Sequence, residues 1–183
     1  MTVTHAVPIT KRRRWRAFLA DRQGATAVEF ALVATPFIGL LFGIIQTFLV
    51  FFAQQFLETA VNQSSRLILT GQAQAQSMTQ GQFNAAICSN LPILFDCNKL
   101  MIDVQVAGSW TTANAGTPSL TFDANGNVTN AWQYNLGNPT DIVVVRVMYL
   151  WPVFFAPLVL NLSNSTKLIM ASAAFQNEAY INS

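Results

Sequence analysis

Residues 30–53 read FALVATPFIGLLFGIIQTFLVFFA, and no charged residue interrupts the chain between Glu29 and Glu58. As an α-helix this run is about 36 Å long, enough to cross a hydrocarbon layer of roughly 30 Å with some tilt. Leu, Ile, Val, Phe, Ala and Gly leave it almost no polar face, so it belongs in lipid or in a deep core. Its length favours lipid. Pro36, near its start, weakens the helical ladder there. A cleaved secretory signal has a shorter apolar core of roughly 7–15 residues followed by a small-x-small site. Here the run is too long, and Phe51-Phe52-Ala53-Gln54 lacks that pattern.

The charges around this run set its direction. Six of the ten basic residues stand in the first 22 positions (Lys11, Arg12, Arg13, Arg14, Arg16 and Arg22), against the single acid Asp21. Basic flanks stay on the cytoplasmic side, so the N-terminus is expected inside and the chain beyond about residue 55 outside. Only 10% of the residues are charged, against roughly 25% in an ordinary soluble domain, which suits a chain that packs against lipid or neighbours. After Gln54 four basic residues face six acidic ones. With no basic stripe on the folded part, nucleic acid is not an expected partner.

Immediately before the run stand Arg22-Gln23-Gly24, then Ala25-Thr26-Ala27-Val28-Glu29-Phe30. Glu29 reads as an interfacial carboxylate near a helix N-terminus, where the macrodipole favours negative charge. A cut after Gly24 would make it the fifth residue of the product. A basic leader ending in Gly, with Glu at position five of an apolar run, resembles the class III signal of type IV prepilins. The longer string GATAVEFALVATPFIGLLFGII resembles the TadE-like family, minor pseudopilins of tight-adherence (Tad, Flp-type) pilus systems. The likeness continues in SSRLILTGQAQ, in the two-cysteine segment, in VVVRVMYLWP and in FQNEAY. It departs from the family where Gln46 replaces an acidic residue and where Asn177-Glu178-Ala179 replaces Asn-Glu-Pro. Glu29-Phe30, rather than Glu-Tyr, and the large body favour a minor subunit over the main pilin.

The resemblance implies a structural subunit of the bacterial inner membrane, with its C-terminal domain in the periplasm. It also implies processing by a membrane-embedded prepilin peptidase at Gly24, Ala25, Glu29 and Phe30. The implied partners are the inner membrane, that peptidase, other pilins or pseudopilins and the pilus assembly platform. Gly24, without a side chain, permits an extended backbone and close approach of a peptidase. Glu29 is costly in lipid unless paired, and a neighbouring subunit's N-terminal ammonium is the expected partner. Gly39 and Gly43 form a small-xxx-small pair that would seat a neighbouring helix, although glycine is also simply common in spans. The alternative function is an uncleaved single-pass envelope protein, accessory to adhesion or secretion.

The expected fold class is α+β: a long transmembrane helix continuing into an amphipathic helix, then a small antiparallel β-sheet. The expected organisation is a leader over 1–24, a span over 25–55 and a periplasmic domain over 56–183. Phe56, Leu57, Ala60, Val61, Ser64, Leu67 and Ile68 recur at helical spacing, Gly71 is the expected C-cap, and 72–77 reads as a polar link. A second helix is expected from Thr79, with Phe83, Ile87 and Leu91 on one face and Pro92 as its stop. Ile102, Val104 and Val106 alternate with Asp103 and Gln105 as in a strand. Asn125-Gly126 is a hairpin signal, and 142–151 and 167–175 read as further strands, the first of them central.

The 20 uncharged residues 147–166 raise the question of a second span, but Pro152 and Pro157 interrupt them and the unbroken apolar part is too short. Phe154, Phe155 and Leu158 are either core under the sheet or an exposed patch for a partner or the outer leaflet.

Cys88 and Cys97 are the only cysteines. An exported pair is expected as a disulfide, the alternative being two buried thiols. With no body histidine, two thiolates cannot complete a metal site, and no cofactor is expected. His5 is the sole histidine, and there is no phosphate-binding GxxxxGK[ST] string. Ser-His-Asp and Cys-His chemistry is therefore missing from the body, so no catalytic residue, enzymatic activity or small-molecule substrate is expected. Asp96 and Asp103 read less as paired acids than as a turn residue and a residue on a strand's solvent face. Arg146, inside an apolar strand, needs a partner and reads as an internal salt-bridge or interface residue.

Overall fold

The computed structural model describes residues 24–113, 116–153 and 166–179. Its first element is a single helix, α1, Ala25–Leu69. Pro36 lies inside it, with Thr35 Oγ1 donating to Ala31 O at 2.7 Å just before the proline. The chain divides into two compact units, Met1–Ile44 and Ile45–Ser183. Hydropathy alone runs the apolar stretch to Ala53, yet Val50, Ala53 and Leu57 are already buried in the second unit's core.

Within that second unit α1 is amphipathic in the expected way. Leu57, Ala60, Val61, Ser64 and Ile68 are buried, with Phe56 and Leu67 packed at the edge of the core. Ala53, Ala60 and Ser64 add small buried side chains to this stripe. Gly71 follows the helix at φ 75°, a left-handed turn that glycine adopts without a Cβ penalty, and its N–H donates to Ile68 O. The stretch expected as a polar link instead forms a short helix, α2, Gln72–Ala75. The reason is Ala73, which is fully buried, and Gln74, whose Nε2 donates to Leu136 O at 2.9 Å.

Helix α3, Gln80–Cys88, starts at Thr79 with a full capping box: Gln82 N donates to Thr79 Oγ1, and Thr79 N donates to Gln82 Oε1. Phe83 and Ile87 enter the core. Leu91 lies beyond the helix, since the ladder ends before Pro92 is reached. After a 3-10 turn, Cys97–Lys99, comes β1, Met101–Ala107. A single turn, α4 (Trp110–Ala113), precedes β2 (Ile142–Pro152) and β3 (Thr166–Gln176).

The sheet is antiparallel in the order β1-β2-β3, which makes β2 central as expected. Alternation along the strands sorts their residues between two faces. One face, facing α1 and α3, carries Ile102, Val104, Val143, Val145, Val147, Tyr149, Ile169 and Ala171 in the core. The other carries Asp103, Gln105, Val144, Arg146, Met148, Met170 and Ser172, and the chain after β1 runs across part of it. Asp103 corrects the sequence reading: it is 3% exposed rather than solvent-facing, because Gln133 N donates to its carboxylate and Arg146 stands opposite it in register.

The Asn125-Gly126 signal makes a turn with one isolated bridge, Phe122 to Val128, and no paired strands. Asp123 organises that turn by accepting from the backbone N–H groups of Asn125 and Asn127 and from Asn127 Nδ2. Its carboxyl is held below the usual carboxylate range, the Asn127 side chain contributing most. Residues 147–152, part of the stretch considered for a second span, form strand. Phe154, Phe155 and Leu158 lie outside the described residues.

Candidate functional site

The residues expected to direct processing open α1. Gly24 immediately precedes the helix, and a Cβ built on it would meet nothing within 4 Å. Ala25 is the first residue of α1, and Glu29 and Phe30 follow within its first two turns, all of them exposed, with Phe30 at 75%. Leu32, Val33, Phe37 and Leu40 are exposed as well. So large an apolar surface on one helix needs lipid or neighbouring subunits to cover it. Helix α1 is long and apolar enough to cross a membrane. Within it, Glu29 is the only charge before Glu58.

Gly39 and Gly43, four residues apart, lie on the same side of the helix. A Cβ at Gly39 would meet nothing within 4 Å, which leaves room for a backbone to approach there.

A second polar feature lies on the sheet's outer face. Arg146 Nη1 stands 3.4 Å from Asp103 Oδ2, both side chains being almost fully buried. The Asp103 carboxylate also accepts from Gln105 Nε2 at 2.8 and 3.0 Å and from Gln133 N at 3.0 Å. The guanidinium borders two cavities. One, about 370 Å³, is lined by Trp110, Val144, Met170 and Ser172, and the other, about 300 Å³, by Pro118, Asn130, Trp132 and Gln133. The Asp103 carboxylate thus accepts from Gln105 on β1, from Arg146 on β2 and from the connecting chain at Gln133 N, so the pair helps to hold these parts of the fold together. Arg146 thereby has the internal salt bridge that its place in an apolar strand demands. Gln105 and Gln133, its neighbours in this network, carry no signal in the sequence that would have marked them.

Cys88 and Cys97 are joined as a disulfide, their Cα atoms 5.9 Å apart. It ties the end of α3 to the turn that leads into β1. Among the described residues no group of three or more His, Cys, Asp or Glu is placed to hold a metal ion.

The open helix start and its lone carboxylate coincide with a family match. Residues 24–66 match the family model of the TadE-like proteins. The chain thus carries a TadE-like segment, as its sequence suggested, and this associates it with Tad pili and with a membrane. The match begins at Gly24 and ends at Arg66. The two-cysteine segment, VVVRVMYLWP and FQNEAY therefore lie outside it. No curated protein and no solved structure matches the chain. Within the TadE-like segment fall Gly24, Ala25, Glu29, Phe30, Gly39 and Gly43. The cysteines and the Asp103–Arg146 pair belong to the body beyond it.

Proposed function

We propose that this chain is a minor pseudopilin, a structural subunit for assembly of a Tad/Flp-type pilus, cleaved after Gly24 by prepilin peptidase. The observation that carries this reading is the coincidence of the TadE-like match with its expected processing point: the match starts at Gly24. Five residues later stands Glu29, the only charge of α1 before Glu58, in a stretch that otherwise exposes apolar side chains. Before cleavage the basic leader holds the N-terminus in the cytoplasm. Cleavage leaves four basic and seven acidic residues on the product, so the net charge changes from +2 to about −3 before the termini are counted.

The new ammonium at Ala25 then pairs with Glu29 of a neighbouring subunit. This relieves the cost of a carboxylate at the lipid boundary and fixes the helix register. Gly39 and Gly43 seat the neighbouring helix, and the body stays on the periplasmic side with the other pilins and the assembly platform.

Mass analysis of the protein from cells with and without prepilin peptidase tests the reading. Loss of residues 1–24 only when the peptidase is present supports it. An unchanged full-length mass in both strains overturns it in favour of an uncleaved envelope anchor. For Glu29 the variant is Glu29→Ala: processing with reduced incorporation into the assembly is expected, and incorporation at the wild-type level removes the register-setting role.

A further inference from the structure

Within the unit Ile45–Ser183 the sheet has two ends that differ in their relation to α1. Gln54 Nε2 donates to Met170 O at 2.8 Å, and Glu178 N donates to Leu69 O at 2.9 Å. Helix α1 and strand β3 therefore run in the same direction. Back from the Gln54–Met170 contact, the helix to Ile45 covers about 13 Å and the strand to Thr166 about 13 Å. The sheet end that carries Thr166 and its partner Pro152 is thus level with Ile45, where the apolar run of α1 joins this unit.

The loop between Cys88 and Cys97 sits at that same end. Phe95 is 6% exposed and packs its ring 5.1 Å from Tyr149 and 5.4 Å from Trp151, near the close of β2. Asp96 N donates to Tyr149 Oη at 3.2 Å. With the disulfide at its base and Phe95 turned inward, the loop is held at both feet. Its tip faces the other way: Ile93 is 101% exposed and Leu94 53%. The rim behind the tip is polar, formed by Ser89, Asn90, Asn98 and the exposed Asp96–Lys99 ion pair at 3.6 Å.

We propose that Ile93 and Leu94 insert into the surface of the bilayer that α1 spans, giving the domain a second membrane contact. This rests on the reading of α1 as a span. The occupant is lipid rather than a protein because the chain itself delivers this end of the domain to the bilayer through Ile45. The contact is therefore continuous with the one that α1 makes. An apolar tip over a polar rim is the chemistry of an interfacial anchor, with the aliphatic side chains below the headgroups and the ion pair among them. The disulfide and Phe95 fix the tip beforehand, so insertion orders little further chain. The contact limits how far the domain can swing from the membrane.

The full chain, reconstituted in phosphatidylcholine and phosphatidylglycerol vesicles whose acyl chains carry bromine at a shallow position, provides the test. Ile93→Trp reports on the loop and Gln72→Trp on the opposite, exposed end of the unit, each read as the difference from wild type. Both sites are exposed, so neither change disturbs the core. Bromine is expected to quench the added emission of Ile93→Trp by about twofold or more, with that of Gln72→Trp unaffected. Equal quenching of the two, or none at position 93, overturns the proposal and turns attention to a protein partner for the tip. Extraction at alkaline pH, run alongside, separates the two readings. A chain that stays with the vesicles but is not quenched at 93 refutes only this contact. A chain that washes off refutes the span and the contact together.

Discussion

Arg146→Ala probes the buried pair most directly. In the folded state the guanidinium is 3.4 Å from Asp103 Oδ2, and the two side chains are 9% and 4% exposed. Removing the cation leaves a buried carboxylate without its counter-charge, which costs about 3–5 kcal/mol in comparable sites. Gln105 Nε2 and Gln133 N still donate to Asp103, so the lower end, about 3 kcal/mol, is expected. At ~2–4 °C per kcal/mol for a domain of this size, Tm falls by about 6–12 °C. The assay is thermal unfolding of the full chain in detergent, followed by near-ultraviolet circular dichroism. That signal includes Trp110 and Trp132, which line the cavities beside Arg146. The companion variant, Arg146→Met with Asp103→Leu, removes both charges and is expected to recover about half of the loss. Recovery stays partial because Gln133 N then lacks its acceptor. A Tm within about 2 °C of wild type for Arg146→Ala would refute the reasoning, as would a double variant no better than the single one.

Three further outcomes follow from other parts of the domain. Cys88→Ser with Cys97→Ser opens a short loop and is expected to lower stability by about 2.7 kcal/mol on the chain-entropy account; two reactive thiols in denatured, unreduced wild-type protein would show that the bond is absent. Gly137→Ala is expected to lose about 1–3 kcal/mol in urea unfolding, because φ there is 69° and a Cβ would meet Val143 Cγ2 at 3.0 Å and Val106 Cγ2 at 3.2 Å; an unchanged midpoint would contradict that geometry. Burial pushes the Tyr134 phenol up to about 12, and its hydroxyl donates to Met78 O. Its stabilising effect is whole below pH 10 and is lost as pH rises through about 12, since the unfolded chain ionises first. Tyr134→Phe is therefore expected to flatten the decline in stability between those values, and a decline identical to wild type would count against it.

What the sequence made legible was local. The helix start at Thr79, the helical spacing from Phe56 to Ile68 and the alternation around Val104 each reside in a few neighbouring residues. Each reappears in the structure. The Gly24 and Glu29 motif is local too, and it is the part of the chain that the TadE-like match covers. What stayed hidden depended on distant partners. Asp103 looked like a polar residue on a half-exposed strand, because alternation with Ile102 and Val104 says nothing about what covers the second face. Only the register that sets it against Arg146, together with the crossing segment at Gln133, buries it. Ala73 was lost among glutamines for the same reason, since its burial depends on the neighbouring elements and not on its own polar surroundings.

The division of α1 is the clearest case of one composition serving two solvents. Hydropathy cannot distinguish Ile44 from Val50, since both are aliphatic residues in an unbroken apolar run. Yet Ile44 is 59% exposed and Val50 is 7% exposed. The difference comes from what the later chain provides. Val50, Ala53 and Leu57 share a core with Tyr149, Trp151 and Ile169, whereas Leu40, Leu41 and Ile44 are exposed. Counting back from Ile45, the stretch from Ala25 is about 31 Å of helix, close to one hydrocarbon thickness. On the reading of α1 as a span, the apolar surplus beyond it is what the sheet needs for its own core, and the run is longer than a bilayer requires because it fills two environments in succession.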